Sequence, residues 1–181
     1  MREVRCVPVL LCLALACSGG ATDDSNIFRG RGLKAVALPP ATVASIYEAA
    51  ISASFDADPA LVLLVNRRLL PRVAGYEGGD TIPAALVSAL RERGIVRGVC
   101  DPKREAARTP RCNFAQAGYV IRASPVVQAG RDTVQINFAA EVFAPATGPA
   151  PPILRFEKIY QLVGSGSKWR VAREARVKEP R

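Results

Sequence analysis

The chain has 181 residues, of which 25 are Lys or Arg and 16 are Asp or Glu, and it contains no histidine. Because the chain has no imidazole group, it cannot by itself form a Ser-His-Asp or Cys-His nucleophile, a histidine-ligated metal site or a histidine proton shuttle. The only methionine is Met1, which also excludes a thioether copper site. We therefore expect no metal and no cofactor.

The N-terminus is arranged like a secretory signal peptide. Arg2 and Arg5 form a short charged start, and residues 6–16 are then apolar without a single charge. This run is much shorter than the roughly 20 residues that a helix needs to cross the hydrocarbon core of a membrane. The pattern predicts a signal peptide over residues 1–16 rather than a permanent transmembrane helix.

The residues before Cys17 resemble a bacterial lipobox. Residues 13–16 are small or aliphatic, although Ala14 stands where the commonest pattern has leucine. The resemblance covers only this signal and implies that Cys17 carries a diacylglycerol and a further acyl chain such as palmitate, enough for stable membrane anchoring. Because Ala14-Leu15-Ala16 is also an A-x-A cleavage site, a secreted protein with an incidental Cys17 stays open, as does an uncleaved N-terminus.

The residue after the cysteine and the charge balance bear on location and partners. Ser18 resembles the sorting pattern of outer-membrane lipoproteins, which implies an exported protein that faces the periplasm. The net charge of +9 favours phosphate-rich surfaces such as lipid head groups or lipopolysaccharide. The basic residues are not grouped with aromatic ones into a stacking platform, so no nucleic-acid partner is expected.

Residues 17–40 are predicted to be the lipidated cysteine and a flexible tether, and residues 41–181 a single domain. A helix is predicted over residues 41–55, where apolar residues recur at helical spacing, and a short buried strand over residues 61–65. A second helix is predicted from Pro83 to Gly94, because proline suits a first helical turn and glycine a helix end.

Two cysteines remain when those of the signal peptide and Cys17 are set aside: Cys100 and Cys112. In an oxidising periplasm such a pair predicts a structural disulfide, here pinning a loop over residues 97–117. The alternative, a redox-active pair, usually has C-x-x-C spacing, which this pair lacks.

Basic residues cluster around this loop and form the best candidate for an anionic partner. Glu92, Asp101 and Glu105 lie among these basic residues and lower their net positive charge. The alternative to a binding patch is therefore a solvated surface. The candidate binding residues are Arg97, Lys103, Arg104, Arg108 and Arg111.

The last third of the chain alternates between apolar and polar residues with the period of strands. Val134 to Val142 is the clearest case, and similar strands are expected at about residues 118–128, 153–163 and 168–177. The order predicts an α+β fold in which N-terminal helices pack on a curved antiparallel sheet, a meander of about four strands plus one short strand.

The element order over residues 41–178 resembles the nuclear-transport-factor-2-like (SnoaL-like) cone fold. The likeness includes the final hairpin, Tyr160 to Gly164 followed by Lys168 to Val171, but no specific motif. It implies a cone-like domain of a family in which many members bind small molecules and a few are enzymes, and no functional residue carries over.

Glu141 and Glu157 lie on predicted strands and would be candidate bases if they faced a dry pocket. Both fall in the polar register, so solvated or ion-paired side chains are expected. The sequence thus favours a non-enzymatic, membrane-anchored lipoprotein with a binding or interaction domain. Its partner beyond the membrane would be an anionic envelope component or another envelope protein.

Two alternatives remain open. One is a small-molecule enzyme or carrier that uses a carboxylate and tyrosines in a cone-shaped pocket, and no catalytic residue is assigned to it. The other is anionic lipid or lipopolysaccharide binding through the basic loop. The sequence specifies neither a ligand nor an oligomeric state.

Overall fold

The structure is a computed structural model that describes residues 33–55, 62–70, 79–100, 112–145, 147 and 155–177. The predicted signal peptide and Cys17 lie outside the described residues. The elements are α1 (Pro40–Ser54), β1 (Val62–Val65), α2 (Ala84–Glu92), β2 (Gly98–Val99), β3 (Gly118–Ala123), β4 (Val127–Gly130), β5 (Thr133–Phe143), β6 (Arg155–Ser165) and β7 (Lys168–Arg176). The α+β class is confirmed.

The strands form one sheet in the order β2-β1-β3-β5-β6-β7, with β4 also paired to β5. The run β3, β5, β6 and β7 pairs antiparallel throughout. β1 pairs parallel with both β2 and β3, so the sheet is mixed rather than purely antiparallel. The reason is that α2 lies between β1 and β2 in the chain, and a helical crossover returns the next strand in the same direction.

Two details of the sheet differ from the predicted pattern. β2 has only two residues and falls inside the segment predicted as a loop, because a strand this short has no readable alternation. The strand predicted over residues 118–128 is split into β3 and β4, since Pro125 has no amide hydrogen to donate. At the break, the Ser124 amide donates to the Asn137 carbonyl (2.8 Å), and Ser124 Oγ accepts the Asn137 amide (2.9 Å).

Buried side chains fall into two clusters on opposite faces of the sheet. The larger one defines what we call the core face and contains residues of both helices together with Phe138 and Tyr160. The smaller one lies in the opposite register. It contains Val62, Leu64, Cys100, Cys112, Val120 and Phe143, with Phe114 packed against it. The strands therefore place apolar side chains on both faces of the sheet.

Arg93, directly after α2, joins the two helices. Its Nη1 donates to Ser45 Oγ (2.8 Å) and to Glu48 Oε2 (2.9 Å), and its Nη2 donates to the carbonyl of Ala41 (3.0 Å). Ser45 is buried, whereas Glu48 is exposed. The bond to buried Ser45 should therefore stabilise the helix pair more than the solvent-screened ion pair does, and the exposed bond to Ala41 adds to it.

We expect Arg93→Ala to lower the free energy of unfolding by about 1–2 kcal/mol, because it removes hydrogen bonds made by a charged donor. Glu48→Gln, which removes only the exposed ion pair, should cost less than about 0.5 kcal/mol. Urea denaturation followed by circular dichroism measures both. Equal losses in the two variants would contradict the assignment of the stabilisation to Ser45 and Ala41.

Candidate functional site

An open pocket of about 670 Å³ lies where the end of α1 meets the start of β6 and the end of β7. Its described lining contains three cations, one carboxylate and one aromatic ring. The lining residues are Ser54, Arg155, Phe156, Glu157, Lys158, Arg176 and Val177. The described wall of the pocket is therefore electropositive.

Strand register places a lysine on the core face of β6. Cross-strand pairing sets Lys158 opposite Phe138 and sets Tyr160 opposite Ile136, both of which belong to the larger cluster. On the other side, Arg176 of β7 is the register partner of Lys158. Lys158 thus stands at a position that the strand period assigns to an apolar residue.

The side chain of Lys158 is largely buried and passes beside two aromatic rings. It is only 14% exposed, and Nζ lies 5.7 Å from the ring centroids of both Phe156 and Tyr160. Nζ also donates to the two carboxylate oxygens of Glu174 at 3.3 and 3.5 Å. Contacts with ring faces and a carboxylate offset part of the cost of burying this charge.

A hydrogen bond joins Ser54, which lines the pocket, to Tyr160 in the core. Ser54 Oγ lies 2.6 Å from Tyr160 Oη and donates its own proton to the carbonyl of Ala50 (2.8 Å). Since a serine has one hydroxyl proton, Tyr160 must donate to Ser54. Tyr160 is completely buried, so its hydroxyl joins β6 to the end of α1.

Aromatic side chains continue from the pocket into the core. Phe55 lies 5.7 Å from Phe156 and 5.0 Å from Tyr119, measured between ring centroids. Phe138, which is fully buried, lies 6.3 Å from Phe156 and 6.1 Å from Tyr160. Of these rings, that of Phe156 belongs to the described lining of the pocket, where it offers an apolar surface to a ligand.

The two glutamates singled out from the sequence lie in the register opposite to the core face. Glu157 pairs with Ala139 and lines the pocket, and its Oε2 lies 4.0 Å from Arg155 Nη2. Glu141 is the register partner of Arg155. Both glutamates are half-buried, and neither shares the sheet face of Lys158 and Tyr160.

The predicted cysteine pair is present: the sulfur atoms of Cys100 and Cys112 lie at disulfide-bonding distance, with their Cα atoms 5.7 Å apart. Of the five basic residues predicted around this pair, only Arg97 is described, and it is exposed. The other four, Lys103, Arg104, Arg108 and Arg111, lie outside the described residues. Binding of an anionic partner by this basic loop therefore stays a prediction.

Lys158 is a residue of the candidate site that the sequence pattern did not predict. The available signal was a lysine in the alternating series Phe156, Lys158, Tyr160 and Leu162, where the strand period predicts only apolar residues. A second pocket, of about 130 Å³, is lined by residues such as Pro40, Tyr47 and Val126. It is smaller and has no charged residue among its described lining. A third pocket, of about 620 Å³, lies between α1 and the start of β7 beside Trp169, but it is a flatter and more open surface, so the pocket at Lys158 is the better candidate.

Among the described residues, no group of acidic residues and cysteines is placed to hold a metal ion. No helix in the same ranges is both long and apolar enough to span a membrane. Comparison of the chain with protein-family models, with curated proteins and with solved structures found no match.

Proposed function

We propose that this protein is an exported bacterial lipoprotein whose domain binds a small molecule without transforming it. The acylated Cys17 would hold it on the periplasmic side of the envelope, more specifically at the outer membrane. The observation that carries the binding part is the pocket between α1, β6 and β7, whose volume of about 670 Å³ is that of an ordinary ligand site. The antiparallel strands β3 to β7 are consistent with the cone-like arrangement that the sequence resemblance implies.

The polar groups at the pocket favour binding over catalysis, because they are already hydrogen-bonded or ion-paired. The hydroxyl groups of Tyr160 and Ser54 are bonded to each other and to a backbone carbonyl, and Lys158 is paired with Glu174. The enzyme alternative has one observation in its favour, which is that Glu157 lines the pocket. Its carboxylate lies in the opposite register to Tyr160, whereas a general base and its partner need hydrogen-bond reach of the same substrate.

The pocket can be tested with the neutral dye N-phenylnaphthylamine, which fluoresces when it enters an apolar site. We expect saturable binding to the exported chain carrying Cys17→Ser. Phe156→Ala should weaken it about tenfold, since losing contact with one buried ring costs at least about 1.5 kcal/mol.

Phe114→Ala is the matched control, because it removes the same ring from the cluster on the opposite face. It should leave the dissociation constant unchanged. An equal loss in both variants, or the absence of saturable binding, would contradict the proposal. Circular dichroism shows whether each variant is folded.

The anchor has its own test. Cys17→Ser should move the protein from the membrane fraction to the soluble fraction and abolish labelling by radioactive palmitate, because the acylated thiol is gone. Cys12→Ser, inside the predicted signal peptide, is the control and should change neither result. A Cys17→Ser protein that is still labelled by palmitate, or an unsubstituted protein that is not labelled, would refute the lipoprotein assignment.

A further inference from the structure

We infer that the ligand is a small amphipathic anion, whose carboxylate, sulfonate or phosphate replaces Glu174 on the ammonium group of Lys158 while its apolar body lies against Phe156. The inference rests on the proposed function, since it names the ligand class of the same pocket. It follows from the charge, the burial and the pairing of the described residues.

The core face carries positive charge at the pocket. Lys158 and Arg176 are register partners on neighbouring antiparallel strands, so two cationic side chains leave one face of the sheet from directly opposed positions. Directly opposed like charges destabilise a strand pair, and an anion between them relieves the repulsion. Both residues line the pocket, so the position between them is accessible to a ligand.

The two side chains of the existing ion pair are unequally buried. The side chain of Lys158 is 14% exposed, whereas that of Glu174 is 49% exposed. A buried ammonium group needs a partner, but a half-exposed carboxylate can return to water at little cost. An incoming anion can therefore displace Glu174 without leaving a buried charge unpaired.

Within the described residues, Lys158 has more hydrogen-bond donors than Glu174 uses. An ammonium group has three donors, and in the described ranges Glu174 is the only acceptor of Nζ. The two rings beside Nζ attract the cation but accept no ordinary hydrogen bond. A tetrahedral or planar oxyanion can use the remaining donors, with its apolar part against the ring of Phe156.

Two dyes that share one aromatic skeleton separate the contribution of the anionic group to binding from that of the apolar body. Anilinonaphthalene sulfonate carries an anionic group that N-phenylnaphthylamine lacks, and both fluoresce in apolar sites. The exported chain carrying Cys17→Ser should bind the sulfonate at least about tenfold more tightly, since a charge-assisted hydrogen bond contributes about 1.5–3 kcal/mol.

Substitutions assign this preference to one side chain. Lys158→Met keeps the apolar stem and should bring the ratio of the two affinities close to one. Glu174→Gln removes the competing carboxylate and should raise the affinity for the sulfonate about threefold or more, as expected for a pair with a half-exposed carboxylate worth up to about 1 kcal/mol. Lys168→Met is the control, because Lys168 lies in the opposite register at the other end of β7 and should leave the ratio unchanged.

Each outcome has a distinct meaning. Equal affinities in the unsubstituted domain, or an equal loss of both dyes in Lys158→Met, would overturn the anion inference and leave the pocket standing. A loss in Lys168→Met as large as in Lys158→Met would overturn the assignment to this site, since general attraction to a basic protein would then explain the preference. Failure of both dyes to bind would overturn the proposed function itself.

Discussion

Replacing Gly118 by alanine is expected to lower the free energy of unfolding by at least about 3 kcal/mol, the upper range for overpacking a buried site. A Cβ atom at this position would overlap the carbonyl oxygen of Val62, and it would come within 2.8 Å of Val62 Cβ and 3.0 Å of Phe143 Cε1. Val62 is the register partner of Gly118, so the overlap is with the backbone of β1. The parallel pair of β1 and β3 could accommodate alanine only by separating.

Gly98→Ala is the matched control for this prediction. Gly98 pairs with the other edge of β1, but a Cβ atom there would first meet the Phe114 ring at 3.3 Å, and a ring can move. We expect a loss below about 1 kcal/mol. Urea denaturation followed by the fluorescence of the single Trp169 measures both variants, and similar losses would show that the close approach at Gly118 is not limiting.

Removing the cysteine pair should have an effect of comparable size. Cys100 and Cys112 are separated by 12 positions, and closing a loop of that length stabilises a protein by about 3 kcal/mol in the chain-entropy model. Both side chains are also buried in the cluster on the opposite face. The double variant Cys100→Ala and Cys112→Ala should therefore be less stable by about 3 kcal/mol, with alanine chosen so that no hydroxyl is buried.

The same domain treated with a reductant is the natural comparison. Dithiothreitol should lower the denaturation midpoint of the unsubstituted protein toward that of the double variant, and it should leave the midpoint of the double variant unchanged. If the reductant has no effect on the unsubstituted protein and no free thiol appears on unfolding without it, the cross-link would be intact but inaccessible. If two free thiols titrate before reduction, the disulfide is absent.

The helices and the long strands could be predicted from the sequence because their signals are local. The apolar spacing after Pro40 predicted α1 to within a residue at each end, and the alternation from Val134 to Val142 lies within the observed β5. The cysteine pair was also predictable, since elimination left one possible partner for Cys100. In each case, the prediction needs only the spacing of nearby residues or the number of cysteines.

Only the tertiary structure decided the parallel pairing of β1, the break between β3 and β4, and the pocket. The pocket depends on contacts such as that between Ser54 and Tyr160, which are 106 positions apart. Lys158 interrupts an alternating series of apolar residues, and the groups that surround its side chain come from other parts of the chain. Whether Lys158 is solvated or buried is decided by Phe156, Tyr160 and Glu174 together, because the free energy of a buried charge depends on the groups that replace its water.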